Sequence, residues 1–258
     1  MSRSSFFVSD LHMFSRRSRA DRHLQSIHES ARQAKQFVFG GDIFDFRWTT
    51  LPSIPATIDA SVRWLDDVVS EHPECEFHFV LGNHDSHRDF VRQLDAFAVN
   101  QPNLTWHPYH VRLGQGFFLH GDVTDGPTDL ASLARRRDRW HEDRHKGPMA
   151  NRLYDLAIKT RMHKVVSAGL HRHRAVLSRV HRYLQNVGHD AEAGVKHVYF
   201  GHTHASMANV SFGGLTFHNG GAPIDGLSFR IVPVHEEQAE ALETPAVQLM
   251  ASQVEKSS

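Results

Sequence analysis

Three short apolar runs near the start of the chain constrain its fold most, at residues 6–8, 37–39 and 77–81. Each run has the length of one β-strand. The stretches between them, at about 18–36 and 56–69, space their apolar residues as helices do. Because strands that alternate with helices are typical of β-α-β units, this part of the chain predicts a largely parallel sheet.

From about residue 105 the pattern changes to short strands joined by tight turns. Segments 111–113 and 117–119 flank the sequence Gly-Gln-Gly, and segments 210–212 and 215–217 flank a Gly-Gly pair. Both arrangements are typical of β-hairpins. The second half of the chain therefore adds a mixed sheet to an α/β fold of the α+β type.

The segment at about 124–190 has no strand signals and is rich in arginine and histidine. It contains 14 Lys and Arg against 7 Asp and Glu, whereas the whole chain has 29 of each. Apolar residues recur there along one predicted helix face: Val176, Leu177, Val180, Leu184 and Val187. We therefore expect one domain, residues 1–258, that carries a basic helical insertion. The acidic, weakly patterned segment at about 236–258 predicts a weakly ordered tail.

The composition excludes several kinds of site. The single cysteine, Cys75, rules out an internal disulfide and any multi-cysteine zinc or iron-sulfur site. The balanced global charge gives no reason to expect a nucleic-acid or membrane partner. We see no signal peptide or membrane span near the N-terminus, and so we expect a cytoplasmic protein. Most of the 22 histidines are expected at the surface or in packing.

Five short polar motifs begin where predicted strands end. Side chains two residues apart on a strand point to the same side, so Asp10 and His12 can share one metal ion. Because strand ends in such sheets are where sites form, the motifs predict one shared site. In chain order they are Asp10-Leu11-His12, Gly40-Gly41-Asp42, Gly82-Asn83-His84-Asp85, His120-Gly121-Asp122 and Gly201-His202-Thr203-His204.

In this order the motifs resemble those of the calcineurin-like metallophosphoesterase superfamily, over most of the chain. The resemblance implies a four-layer α-β-β-α sandwich of two mixed sheets flanked by helices. It also implies a dinuclear metal centre, in which one ion would be held by Asp10, His12, Asp42 and His204. The other ion would be held by Asp42, Asn83, His120 and His202, so that Asp42 bridges the two.

The ligand types indicate which metals suit this centre. Imidazole and carboxylate without thiolate suit manganese, iron, cobalt or zinc, and we expect two divalent ions, with Mn²⁺ first. A metal-bridging hydroxide would attack the phosphorus of a phosphoric ester or pyrophosphate. His84 is assigned to neither ion and is the expected catalytic residue, because it can protonate the leaving oxygen. Asp85 and Asp122 are candidates to orient histidines from behind the ligands, and Asp45 could do the same or cap the following helix.

The basic insertion leaves the chain directly after His120 and returns shortly before His202. Both of its ends are therefore anchored at the expected site, and we expect it to form a lid over the substrate. Four arginines in it are candidates for substrate binding, although such clusters are more often a solvated helix face: Arg135, Arg136, Arg137 and Arg139.

Within the superfamily the chain is most similar to the UDP-2,3-diacylglucosamine hydrolases of lipid A synthesis. The similarity lies in the first motif, the stretch 41–46, the His-Gly-Asp before a helical insertion, and the late Gly-His-Thr-His. It implies a lipid-nucleotide substrate and peripheral contact with the inner face of a membrane. His84 departs from that subgroup, which commonly has arginine there. The alternatives are a general phosphodiesterase of small phosphorylated molecules, a nuclease whose insertion binds nucleic acid, and a non-catalytic metal-binding scaffold.

Overall fold

The computed structural model describes residues 3–141 and 169–235. Its first half contains β1 (Ser4–Val8), α1 (Leu24–Gln33), β2 (Ala34–Gly40), α2 (Ile54–Glu71), β3 (Glu76–Val80), α3 (Arg88–Val99) and β4 (Leu104–His107). Its second half contains β5 (His110–Leu113), β6 (Gly116–Leu119), α4 (Leu130–Asp138), α5 (Gly169–Asn186), β7 (His197–Phe200), β8 (Met207–Phe212), β9 (Leu215–Asn219) and β10 (Val232–Val234). Short 3₁₀ turns at Ala20–His23 and Asp122–Asp125 precede α1 and α4.

The strands form two mixed five-stranded sheets. In the first sheet, ordered β10-β1-β2-β3-β4, strands β1 to β4 are parallel and β10 pairs antiparallel with β1. The second sheet is ordered β5-β6-β7-β9-β8, with parallel pairs β6-β7 and β7-β9 between two antiparallel edge pairs. These pairings confirm the predicted parallel units and both predicted hairpins.

Alternating side chains along the strands build the layers. Phe37 and Phe39 on β2 belong to a core shared with α1, α2 and α3, whereas Val38 belongs to the core between the sheets. In that central core the ring of Tyr199 lies 4.7 Å from that of Phe118, centroid to centroid. The outer face of the second sheet packs on α4 and α5. The chain is therefore a four-layer α-β-β-α sandwich, as the resemblance implied.

Among the helices of the first half, α1 differs most from its predicted bounds, and α3 was not predicted. The segment expected at about 18–36 begins as a 3₁₀ turn, and α1 ends at Gln33 because β2 starts at once with Ala34. No helix was predicted at 88–99, where α3 lies. Its buried residues Phe90 and Leu94 do recur at helical spacing, so the signal was present.

The predicted insertion is helical where the structure describes it, at 124–141 and 169–190. The predicted apolar face of α5 is confirmed, since Leu177, Val180 and Leu184 are buried against the second sheet. Residues 142–168 of the insertion and the predicted tail at 236–258 lie outside the described residues. Within the described ranges, no helix combines the length and apolarity needed to cross a membrane.

Candidate metal centre

Strand ends from both sheets meet at one edge of the sandwich and bring the predicted ligands together. These predicted ligands follow five strands: Asp10 and His12 follow β1, Asp42 follows β2, Asn83 follows β3, His120 follows β6, and His202 and His204 follow β7. Those from β1, β2, β3 and β6 are buried, and the two from β7 are partly exposed. The site therefore opens to solvent on the side of the second sheet.

The backbone is bent in an unusual way at most of these positions. Five predicted ligands have left-handed conformations with φ between 45° and 65°: Asp10, His12, Asp42, His202 and His204. Among the described residues, only Phe14 and Asn209 share this feature outside glycine. Such conformations cost of order 1–3 kcal/mol each and persist where the surroundings enforce them, commonly at functional sites. The surrounding structure therefore holds the backbone of these five residues in strained conformations that bring their side chains to one site.

The first group of side chains contains Asp10, His12 and His204. The Nε2 atoms of His12 and His204 lie 3.0 Å apart, and His204 Nε2 lies 3.4 Å from Asp10 Oδ1. Asp42 Oδ2 is 3.9 Å from His12 Nε2. Metal–ligand bonds of about 2.0–2.2 Å place neighbouring ligand atoms roughly 3 Å apart, so the first three side chains fit around one ion with little movement.

The second group contains Asp42, His120 and His202, with Asn83 beside them. His120 Nε2 lies 3.2 Å from Asp42 Oδ2, 3.2 Å from Asn83 Oδ1 and 3.3 Å from His202 Nδ1. The other ring nitrogen of His120 lies 3.2 Å from the carbonyl oxygen of Gly40, which fixes the ring orientation. The two groups meet at Asp42.

Backbone amides orient the two ligand carboxylates. Asp10 accepts hydrogen bonds from Ser9 Oγ at 2.6 Å and from the amide of His202 at 2.8 Å. Asp42 Oδ1 accepts from the amide of His84 at 2.8 Å. Each carboxylate is thereby tied to a loop that carries other residues of the site.

Two glycines of the motifs are required by close approach. A Cβ atom at Gly82 would collide with the carboxylate of Asp42, and one at Gly201 would collide with that of Asp10. Glycine therefore lets the neighbouring loops pass directly beside the ligand carboxylates.

Burial and neighbouring charges set the protonation of the ligands. Burial, together with Arg17, lowers the pKa of His12 to about 3, which leaves the ring neutral as a metal ligand must be. Burial would raise the pKa values of Asp10 and Asp42, but neighbouring histidines lower both below the usual range. Burial would lower the pKa of His120, but the Asp42 carboxylate outweighs it and raises the value to about 10. These side chains therefore fit as ligands of divalent cations. A cation bound by His120 would displace the proton from its ring.

His84 lies beside both groups. Its Nδ1 is 3.1 Å from Asp45 Oδ1, and its ring centroid is 4.8 Å from that of Trp140. The second oxygen of Asp45 is 3.6 Å from Nδ1 of His12, so this predicted supporting residue contacts two histidines of the site. His84 is also close enough to His12 and Asp42 to ligate with them. Burial would lower the pKa of His84, but the carboxylates of Asp45 and Asp42 outweigh it and raise the value above its usual range.

The other two predicted supporting carboxylates accept hydrogen bonds from backbone amides and from an arginine. Asp85 accepts from the backbone amides of Gly82 at 2.5 Å and Ile43 at 2.9 Å, and burial raises its pKa to about 7. Asp122 accepts from Arg137 Nε at 2.8 Å and Nη2 at 2.7 Å. These hydrogen bonds hold loops and the insertion in place, and the supporting role of Asp85 and Asp122 behind the histidines stays a prediction.

The four arginines of α4 and its end do not form one patch. Arg137 is buried and its guanidinium faces Asp122, so it is a structural ion pair rather than a candidate for substrate binding. Arg136 is half-buried and donates to backbone carbonyls. Only Arg135 and Arg139 are exposed.

Tertiary contacts add two residues that the sequence analysis did not single out. Asp125 Oδ2 lies 3.0 Å from His202 Nε2, behind a predicted ligand. Asn219 is fully buried and donates to the carbonyl oxygen of Gly201 at 3.0 Å, which fixes the loop after β7. Asp125 lies close to the His-Gly-Asp motif and could have been found there. Asn219 gave no local signal, because its role depends on the pairing of β9 with β7.

Two further arginines lie beside residues of the site, Arg17 next to Asp45 and Arg47 next to Trp140. Arg17 Nη2 is 3.4 Å from Asp45 Oδ2. The guanidinium of Arg47 lies 4.9 Å from the ring centroid of Trp140, a cation–π contact. Both add positive charge near the ligands.

Comparison with known proteins identifies the family of the chain. The family model of calcineurin-like phosphoesterases matches residues 5–206. No curated protein matches the chain significantly. A crystal structure of a dimetal phosphatase from Danio rerio aligns with 14% identity and a TM-score of 0.40, covering 86% of this chain and 88% of that one. From the family match, this chain belongs to the calcineurin-like phosphoesterase family and is a metal-dependent phosphoester hydrolase with a dinuclear metal centre.

Proposed function

We propose that the chain hydrolyses a phosphoric ester or pyrophosphate with seven ligand residues and one catalytic histidine. The single observation that carries the proposal is that Asp42 lies between the two groups, with its Oδ2 3.2 Å from His120 Nε2 and 3.9 Å from His12 Nε2. One ion would be held by Asp10, His12, Asp42 and His204. The other would be held by Asp42, Asn83, His120 and His202.

The donor set suits Mn²⁺ best, with iron, zinc and cobalt as alternatives, because it mixes imidazole with carboxylate and amide oxygen. When bound, such ions supply Lewis acidity toward phosphoryl oxygens and acidify water. Asp10 and Asp42 are the only carboxylates in the ligand set, so they offset only part of the cationic charge. The site thereby favours an anionic phosphate.

In this proposal His84 donates a proton to the leaving oxygen. Asp45 faces Nδ1, so Nε2 is the nitrogen left for the substrate. The carboxylates of Asp45 and Asp42 favour the protonated ring that a general acid requires. The ring of Trp140 packs against His84 and limits the access of water.

We further propose a lipid nucleotide such as UDP-2,3-diacylglucosamine as the substrate, with the insertion at 124–190 as a lid of the single domain. The contact between Asp125 and His202 supports this role, because it ties the start of the insertion to the centre. Exposed Arg135 and Arg139 on the insertion could contact phosphate or an anionic membrane surface, which would place the protein at the cytoplasmic face. The alternatives remain a general phosphodiesterase, a nuclease and a non-catalytic scaffold.

The experiment that tests the function measures hydrolysis of bis-p-nitrophenyl phosphate and UDP-2,3-diacylglucosamine by Mn²⁺-loaded protein. We expect Asp42→Ala to lose both metal and turnover. We expect His84→Ala to keep its metal and lose roughly 10²–10⁴-fold in kcat. His173→Ala, on a partly exposed position of α5, is the matched control and should behave as wild type.

The outcomes separate the alternatives. Preference for the lipid nucleotide supports the proposed substrate, and preference for the simple diester supports a general phosphodiesterase. Cleavage of nucleic acid that falls steeply with salt would indicate a nuclease. Bound metal without turnover of any of these substrates would contradict the proposal and favour the scaffold.

A further inference from the structure

A second group of histidines lies away from the dinuclear centre, where β10 of the first sheet meets β7 and β9 of the second. It consists of His197, His218 and His235, and one ring nitrogen of each lies within 4.8 Å of the others. His197 begins β7, whereas the ligands of the centre follow Phe200 at the other end of that strand. At about 3.3 Å per residue, the strand separates His197 from Phe200 by roughly 10 Å.

The spacing within this group matches the spacing within the catalytic centre. His197 Nδ1 lies 3.1 Å from His218 Nε2. The three ring centroids are 4.6, 5.2 and 5.4 Å apart, compared with 5.0 and 5.1 Å for the facing histidine pairs of the dinuclear centre. Tetrahedral bonds of about 2.0–2.1 Å to zinc would place ligand nitrogens roughly 3.3 Å apart. The pair His197 and His218 already has that separation.

Tyr199 holds two members of the group in position. Its hydroxyl oxygen accepts a hydrogen bond from the amide of His235 at 2.8 Å. Its ring stacks on that of His218 with centroids 4.7 Å apart. His218 is only 2% exposed, whereas His235 is exposed. The ring of His218 is therefore fixed by packing, and the exposed side chain of His235 can turn to complete a site.

We propose that His197, His218 and His235 form a third metal site, for a divalent ion that prefers imidazole, with Zn²⁺ first. Three nitrogen donors without an oxygen or sulfur among them favour zinc, copper or nickel over manganese or magnesium. Burial lowers the pKa of His218 to about 4, so its ring is neutral at physiological pH and has a lone pair to offer. Such a site takes a different metal from the carboxylate-bridged centre.

The site would link the two sheets. His197 and His218 lie on neighbouring strands of the second sheet, and His235 directly follows β10 at the edge of the first. A bound ion would stabilise the folded chain by binding only the folded form, as any such ligand does. It would also hold the short edge strand β10 in place.

The test is the zinc content of the full chain after equilibrium dialysis against buffered Zn²⁺, measured by mass spectrometry of the metal. We expect His235→Ala to bind about one equivalent less than wild type. The His173→Ala control should bind as much as wild type. His197→Gln provides a second variant, and circular dichroism checks that each variant is folded.

A second measurement uses protein already loaded with Mn²⁺. Added Zn²⁺ should raise the Tm of wild type and of His173→Ala, but not that of His235→Ala. Equal zinc content and equal Tm response in wild type and His235→Ala would overturn the proposal and leave the rings as packing alone. Neither readout depends on hydrolysis, so this proposal and the proposed function can fail separately.

Discussion

Asp45 Oδ1 lies 3.1 Å from His84 Nδ1, and the side chain of Asp45 is fully buried. We expect Asp45→Asn to lower kcat about 10–100-fold, because the ring of His84 loses the carboxylate that orients it and favours its protonation. Steady-state kinetics with Mn²⁺-loaded protein measures the effect. Since Asp45 also lies near His12, the metal content of the variant has to be measured alongside.

A double variant tests whether Asp45 acts through His84. In a His84→Ala background, Asp45→Asn should add little further loss in kcat, since residues that act as a unit are not additive. If the fold losses in kcat of the two single variants multiply in the double variant, Asp45 acts on catalysis by another route, such as positioning His12.

Arg137 forms a buried ion pair with Asp122, whereas Arg139 is exposed. We therefore expect their substitutions to differ in their effect on the free energy of unfolding. Arg137→Ala should lower the free energy of unfolding by about 3–5 kcal/mol, because it leaves a buried carboxylate without its partner. Arg139→Ala, at an exposed position, should change it by less than about 0.5 kcal/mol. Urea unfolding followed by circular dichroism measures both, and similar small values would place Arg137 back among the candidates for substrate contact.

Buried neutral histidines predict a loss of stability at acid pH. Burial lowers the pKa values of His107 to about 3 and of His78 to about 4, and their facing ring nitrogens lie 3.3 Å apart. Because both folded values lie below the unfolded value, the unfolded chain binds more protons as pH falls from about 6.5 toward 4. Their contribution to stability is therefore present above about pH 6.5 and is lost progressively below it.

The measurement is urea unfolding at pH 7 and pH 5 in the presence of a chelator, so that bound metal does not contribute. His107→Asn should reduce the pH-dependent loss by about 1–2 kcal/mol relative to wild type. An unchanged difference between the two pH values would show that His107 is not neutral in the folded chain.

Cys75 should be unreactive in the folded protein. It is 1% exposed, and burial raises the pKa of its thiol to about 12, so almost no thiolate forms at pH 8. A thiol reagent such as dithionitrobenzoate should label it only after urea is added. Rapid labelling without denaturant would mean that the segment between α2 and β3 opens locally.

Much of the fold could be predicted from local patterns, because strand alternation and helical spacing are properties of short segments. The runs at 6–8, 37–39 and 77–81 predicted β1, β2 and β3 correctly, and the glycine turns predicted both hairpins. The bounds of α1 were less well predicted, because the register of β2 in the sheet decides where the helix has to end.

By itself, the sequence determined which chemical groups the centre could contain, because five motifs placed carboxylate, amide and imidazole at strand ends. Only the tertiary structure decided which of the other charged residues belong to the site. Arg137 and Arg139 are two residues apart, yet one is buried against Asp122 and the other faces solvent. Asn219 and the histidines at 197, 218 and 235 likewise acquire their neighbours through strand pairing and sheet packing. Those contacts join residues far apart in the chain, and for that reason no local pattern could predict them.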